Sequence, residues 1–177
     1  MIRDVILYPD RCLETPCDPV TEFDTPGLHQ LVADLFETMY FHEGLGLAAP
    51  QIRVMKQVAV IDPSSGRDTG KKIVLINPRI AEAQGTQCNE EGCLSFPDFV
   101  ERITRSMSVI VDARDSTGAG VHLQSDGLLS RALQHEVDHL DGILFIQRMS
   151  SLKRELIRRK VRKMLHAGDW GPVRGSR

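Results

Sequence analysis

The sequence contains no run of about 18 apolar residues, so no segment reads as a helix that spans a membrane. Its opening, MIRDVILYPDRC, has neither a long apolar core nor a small-residue cleavage site. That reads as the absence of a secretory signal and predicts a cytoplasmic protein. Internal repeats and low-complexity linkers are missing. So is an excess of charge of one sign: the formal net charge is −2, which argues against a general nucleic-acid binder and predicts no specific DNA binding. Cysteines number four, Cys12, Cys17, Cys88 and Cys93. With 177 residues the chain buries a sizeable core without covalent staples, so free thiols are expected rather than a disulfide framework. What remains is an ordinary globular composition, 41% hydrophobic. It predicts one domain over 1–177, a flexible tail at about 168–177, and a monomer.

Residues 8–27, rich in Pro and Asp, read as an extended arm or a series of turns. Pro26 and Gly27 then open a helical pattern, with Leu28, Leu31, Leu35 and Met39 on one stripe, widened by Val32 and Phe36, and Gly44 and Gly46 at its end. Runs rich in Val and Ile at 56–62, 72–78 and 106–113, with a shorter one at 120–124, read as strands. A helix is expected after Asp126 and Gly127, stopping near Gly142. A second runs from Ser150 or Ser151 to about Leu165; Ser151 could cap it, but Arg154 at the fourth position rules out a capping box. Little room is left for crossover helices between 56 and 124. The expected fold is therefore α+β, with mostly antiparallel sheets packed around a central helix bearing HExxH, and a C-terminal helix.

That central helix carries LQHEVDHLDG, residues 133–142. His135 and His139 are four apart and share one helix face, so both imidazoles can reach one ion. Glu136 is poorly placed to bind the same ion but can exchange a proton with a water there. The five-residue pattern alone also fits a helix with two half-buried histidines and surface carboxylates. A third ligand is needed, and Cys93 in NEEGCLSFP (89–97) is the best candidate, since Gly92 frees the backbone for a close approach. Cys88 lies five residues away, wider than the usual spacing of structural zinc cysteines, so one thiolate is expected in the site. A His, His, Cys set leaves an open position for water.

The stretch EGLGLAAPQ (43–51) lacks the Lys and Ser/Thr of a phosphate loop. Its glycines point to a close backbone approach, by another strand or by an extended peptide. Gln51 offers an amide N–H that suits a developing oxyanion, or is a surface glutamine after a turn.

Three stretches, GLGLAAPQ (44–51), EGCLS (91–95) and QHEVDHLDG (134–142), together and in this order resemble the three signature motifs of the bacterial peptide deformylases. The resemblance covers essentially the whole chain. It implies removal of the N-formyl group from the initiator formylmethionine of nascent polypeptides, with release of formate. It implies one divalent ion per chain, Fe²⁺, with Zn²⁺, Ni²⁺ or Co²⁺ as substitutes, held by Cys93, His135 and His139. Attack on the formyl carbon by hydroxide on that ion, with Glu136 as general acid and base, is implied too, as is stabilisation of the oxyanion by Gln51 and the Leu94 N–H. The peptide is expected beside a strand at Gly44, Gly46 and Leu47, and the methionine side chain beside Leu128, Arg131 and Ala132. Two positions depart from some relatives: Arg131 replaces an aliphatic residue, with its stem on the wall and its charge outside, and Val100 replaces a substrate-facing arginine. Glu91 is expected to order its loop by pairing with Arg102 or Arg105, and Asp138 or Asp141 to support a ligand histidine, Asp138 otherwise facing solvent or an arginine.

The run KRELIRRKVRK (153–163) holds seven basic residues and one acidic residue, so the remainder of the chain carries −8. Met149, Leu152, Leu156, Val161 and Met164 form the expected apolar stripe. The basic face is either solvated or an RNA-docking surface, and the resemblance implies ribosome contact of the kind made by the C-terminal helix of some members. Two rival readings compete with the deformylase. A zinc endopeptidase would draw its third ligand from Glu155, and a non-enzymatic protein with a closed structural metal site would recruit Cys88.

Overall fold

The computed structural model describes residues 1–171. Helix α1, Pro26–Phe41, starts where the Thr25 hydroxyl accepts the Leu28 N–H at 3.2 Å and Pro26 fills the first turn, where its missing N–H has no partner to lose. It buries Leu28, Leu35 and Met39 against the short strand β1, Gly46–Ala48, and β2, Val58–Ile61. Strand β3, Ile73–Gln84, continues well past the expected run, and β6, Ser108–Arg114, and β7, Gly120–Asp126, follow. These five form one sheet in the order β1-β2-β3-β6-β7, antiparallel throughout.

A second, two-stranded antiparallel ribbon pairs β4, Gln87–Cys93, with β5, Phe96–Arg105. Sequence patterning reads only a short extended piece here. The reason is physical: β4 has few apolar side chains to alternate, and its buried Glu91 is held by ionic partners rather than by oily ones.

Helix α2, Gly127–Leu140, packs on β1, β2, β3, β6 and β7, and every residue from Ser130 to Leu140 is buried. The α+β class, the antiparallel pairing and the C-terminal helix hold. The expected HExxH metal motif is corrected. The residues that converge are Cys93, at the end of β4, with His135 and His139 of α2, and Glu136 is not among them. The metal site is thus a Cys/His/His cluster assembled between a ribbon and a helix, because one helix turn offers only two donors on one face.

Helix α3, Ser151–Ala167, is capped by Ser150, whose hydroxyl accepts the Lys153 N–H. Its buried positions are Ile157 and Val161, with Met149 and Met164 packed beside them. Leu152 and Leu156, placed on the apolar stripe by spacing, are 71% and 56% exposed. Of the tail expected at about 168–177, residues 172–177 lie outside the described residues. Gly168 caps α3, and Trp170 is seated on the core: its indole N–H donates to the Tyr8 carbonyl at 2.7 Å and its ring meets Phe99 edge-on.

The N-terminal arm is fastened to the body at many places, four of which bear on the site and its helix. The Ile6 N–H donates to the Gln51 carbonyl at 2.9 Å and the Tyr8 N–H to the Ser95 carbonyl at 3.0 Å. The Cys17 N–H donates to the Leu140 carbonyl at 2.9 Å, and the Asn77 carboxamide binds both the N–H and the carbonyl of Val20 at 2.8 Å. Gly142 lets the arm pass the end of α2. Its φ is +71°, and a Cβ there would lie 2.8–2.9 Å from backbone atoms of Glu14, Thr15 and Pro16. Backbone cannot swing aside as a side chain can. Gly142→Ala is therefore expected to destabilise the protein by about 3 kcal/mol, from left-handed strain plus overpacking. Urea unfolding of the two proteins measures this, and a loss below about 1 kcal/mol would show that the arm yields.

Candidate metal centre and active site

His135 and His139 lie one turn apart on α2, and their Nε2 atoms are 3.2 Å from each other. The Cys93 thiol comes from the ribbon to within 3.2 Å of His139 Nε2. Donors bound to one tetrahedral ion at about 2.0–2.1 Å sit roughly 3.3 Å apart, so the three atoms fit one divalent ion. No other group of this kind exists among the described residues. Burial holds His139 neutral, well below the usual imidazole pKa. A neutral imidazole keeps a lone pair free to bind. Two buried polar atoms here lack any hydrogen-bond partner, His139 Nδ1 and Glu136 Oε2.

The support for His135 comes from Glu91, whose Oε1 is 2.6 Å from His135 Nδ1. Neither Asp138 nor Asp141 takes this part. Glu91 also accepts from Arg105 at 2.6 and 3.0 Å and from Arg131 at 2.9 Å. Burial alone would raise the Glu91 carboxyl; the hydrogen bonds from His135 and Arg105 outweigh it and hold the group far below the usual range. Of the two arginines expected to pair with Glu91, Arg105 does so, whereas Arg102 donates to the Cys88 carbonyl at 3.1 Å. Asp138 pairs with Arg105 at 2.5 Å and with Arg148.

Arg131 is corrected in the same network. Its guanidinium is buried on Glu91 and the Ile103 carbonyl rather than held outside, so only its stem is left to face the substrate cavity. That cavity, about 390 Å³, is also lined by Gly44, Gly46, Leu94, Leu128 and Ala132, with Cys93, His135 and Glu136 among its walls. Leu47 is not a lining residue. Side chains alternate along β1, and Leu47 points into the core with Leu35 and Met39.

Glu136 sits against Gly46, where a Cβ would come within 2.4 Å of its Oε1. Burial pushes its carboxyl up to about 7. Gln51 is buried and its amide has a fixed sense: Oε1 accepts the Ala48 N–H at 2.9 Å, which turns Nε2 toward Ser95 Oγ at 3.1 Å and Cys93 Sγ at 3.7 Å. Sequence reasoning missed Ser95, which holds Gln51 through its hydroxyl and the arm through its carbonyl. It missed Arg148 as well. Ser95 stands inside the EGCLS stretch and was open to notice; Arg148 carries no local signal.

The rival metal readings find no support in this geometry. Glu155 is exposed and paired with Arg162 at 2.7 Å. Cys88 is exposed and stands outside the cluster, so no fourth protein ligand closes the site among the described residues.

Residues 2–155 match the family model described as polypeptide deformylase. A peptide deformylase of Acidobacterium capsulatum is 51% identical over 170 residues, covering 96% of this chain and 99% of the relative. The crystal structure of a peptide deformylase from Legionella pneumophila superposes with a TM-score of 0.87 at 40% identity, covering 97% of this chain and all of that one. That of the Thermus thermophilus enzyme gives 0.85 at 36% identity, over 95% of this chain and 98% of the other.

Proposed function

The chain belongs to the polypeptide deformylase family, and on that premise we propose how its own side chains divide the work. The protein is a metal-dependent hydrolase that removes N-formyl groups. Cys93, His135 and His139 would hold a divalent ion, which when bound would supply Lewis-acid chemistry: polarising a carbonyl and lowering the pKa of water. Glu136 accepts the proton of the attacking water and returns it to the amine as the C–N bond breaks, and the burial that raises its carboxyl favours holding that proton between the two steps. The Gln51 Nε2 and the Leu94 N–H donate to the oxygen that becomes negative. An extended peptide lies beside Gly44, Gly46 and the main chain of Leu47 through main-chain hydrogen bonds, with its first side chain against Leu128, Ala132 and the Arg131 stem. One observation carries the reading: a cluster of three donors stands beside an unpartnered carboxylate and an oriented amide, and Cys93, His135, Glu136 and Gln51 of this group line one cavity.

The substrates on this reading are formylmethionyl nascent peptides, the ion is Fe²⁺, and the enzyme works as a cytoplasmic monomer. No described helix is long and apolar enough to cross a membrane. The test is to purify the protein anaerobically, determine its metal and mass in solution, and follow formate release from formyl-Met-Ala-Ser. Rapid release from an iron-loaded monomer is expected; a folded, iron-loaded protein that releases none would sink the proposal. Gln51→Leu should lower kcat about a hundredfold with KM near that of the parent, since one oxyanion donor is lost. An unchanged kcat would remove Gln51 from the mechanism.

The basic face of α3 supports docking on ribosomal RNA. Lys153, Arg158 and Arg162 have acidic partners in Glu101, Glu14 and Glu155, but all three pairs are at least partly open to solvent and weakly held. Co-sedimentation with ribosomes that weakens as salt rises is expected. Absence of binding at low salt would leave the helix a solvated face.

A further inference from the structure

We propose that Arg148 is a positioning residue for the metal cluster, acting on His135 through Asp138, Arg105 and Glu91. The inference rests on the reading of Cys93, His135 and His139 as metal ligands.

The contacts form one continuous chain. Arg148 Nε donates to Asp138 Oδ2 at 3.0 Å, and its NH2 group to Oδ1. Arg105 lies between two carboxylates. Its NH1 group donates to Asp138, while Nε and NH2 donate to Glu91. Glu91 Oε1 then receives His135 Nδ1. The side chains of Asp138, Arg105, Arg131 and Glu91 are 7% exposed or less, whereas that of Arg148 is 45% exposed. A second cavity of about 290 Å³ reaches Arg148, Asp138 and Arg105, and it shares no lining residue with the substrate cavity. The network therefore has its own opening to solvent, and Arg148 stands in it.

Electrostatics gives the chain a direction. Asp138 has two cationic partners, Arg105 and Arg148. Without Arg148 a buried carboxylate would be left with one, and it would draw more heavily on Arg105. Glu91 would lose part of its neutralising partner and become a stronger acceptor for the His135 N–H. A ligand imidazole with a stronger acceptor behind it is more basic and makes its ion a milder Lewis acid. Arg148, Asp138 and Arg105 line no part of the substrate cavity, so the effect should fall on the chemical step rather than on peptide binding.

The experiment compares the parent with Arg148→Met and Arg148→Lys, each loaded with Co²⁺. The visible ligand-field and thiolate charge-transfer bands are recorded beside kcat, KM and the melting temperature. Arg148→Met should shift the bands and lower kcat about tenfold with KM within about twofold, at the low end of effects seen for residues behind metal ligands. Arg148→Lys should recover most of both. Where Arg148→Met does not fold, Arg148→Gln removes the charge while keeping hydrogen-bonding reach, and the same shift is expected. Bands and kcat that match the parent in the neutral variants, with only the melting temperature lowered, would make Arg148 a mere tether and overturn the proposal. A parent that releases no formate would defeat the functional reading instead, while the cobalt bands would still decide on Arg148.

Discussion

Glu136→Gln is expected to lower formate release by about a thousandfold to ten-thousandfold while the cluster keeps its metal. The amide matches the carboxylate in shape but cannot take a proton from water or hand one to a departing amine. The substitution should also stabilise the protein, in a way that depends on pH. Burial raises the Glu136 carboxyl from 4.5 to about 7, so the folded state holds that proton more tightly than the unfolded chain does. Its contribution to stability is complete below about pH 4.5 and is lost as pH rises through 7. A neutral glutamine suffers no such loss, and Oε2 has no partner to forfeit. Metal-free parent and variant should therefore melt alike at pH 5 and diverge by pH 8, the variant gaining up to about 3 kcal/mol. Equal melting at both values would mean that the site does not hold the proton. Retained activity would mean that another group moves it.

Gly46→Ala should cost nearly as much activity without touching any group that reacts. A Cβ at position 46 would stand 2.4 Å from Glu136 Oε1 and 2.9 Å from its Cδ, closer than atoms of this kind approach. Strand β1 is pinned by its pairing of Gly46 with Ile61, so the carboxylate is the part that must leave. Once displaced it loses its line to the cluster. We expect kcat to fall about a thousandfold, the same order as losing the carboxylate, with stability lower by about 1–3 kcal/mol from overpacking. Steady-state kinetics and thermal melting of the one variant measure both. A kcat within tenfold of the parent would show that Glu136 works from more than one position.

The cluster itself was legible because its parts are written locally. His135 and His139 are four apart, and Cys93 stands beside a glycine in a stretch with no competing thiolate at ligand spacing. What could not be read was whatever depends on the far side of a contact. Arg131 looks like an intrusion into an apolar wall until Glu91, forty positions earlier, is found against it. Leu47 directly follows three cavity residues, Gly44, Leu45 and Gly46, yet its side chain turns into the core. The β4–β5 ribbon was hidden because ionic pairing replaces the apolar alternation that marks strands. On α3, spacing alone could not choose between Leu156 and its neighbour Ile157, and the core chose Ile157.

The fastening of the N-terminal arm has a consequence in time. Ile6 is tied to Gln51, Tyr8 to Ser95 and Trp170 to Tyr8, the last across 162 positions of chain. Contacts so distant in sequence pay their loop-closure entropy late, and a topology built on them folds slowly. During synthesis the arm can reach Gln51 and Ser95 while the rest of the chain is still being made, but its tie to Trp170 waits until residue 170 has appeared. The last tie on the arm that meets Gln51 and Ser95 thus closes only when the described chain is nearly complete.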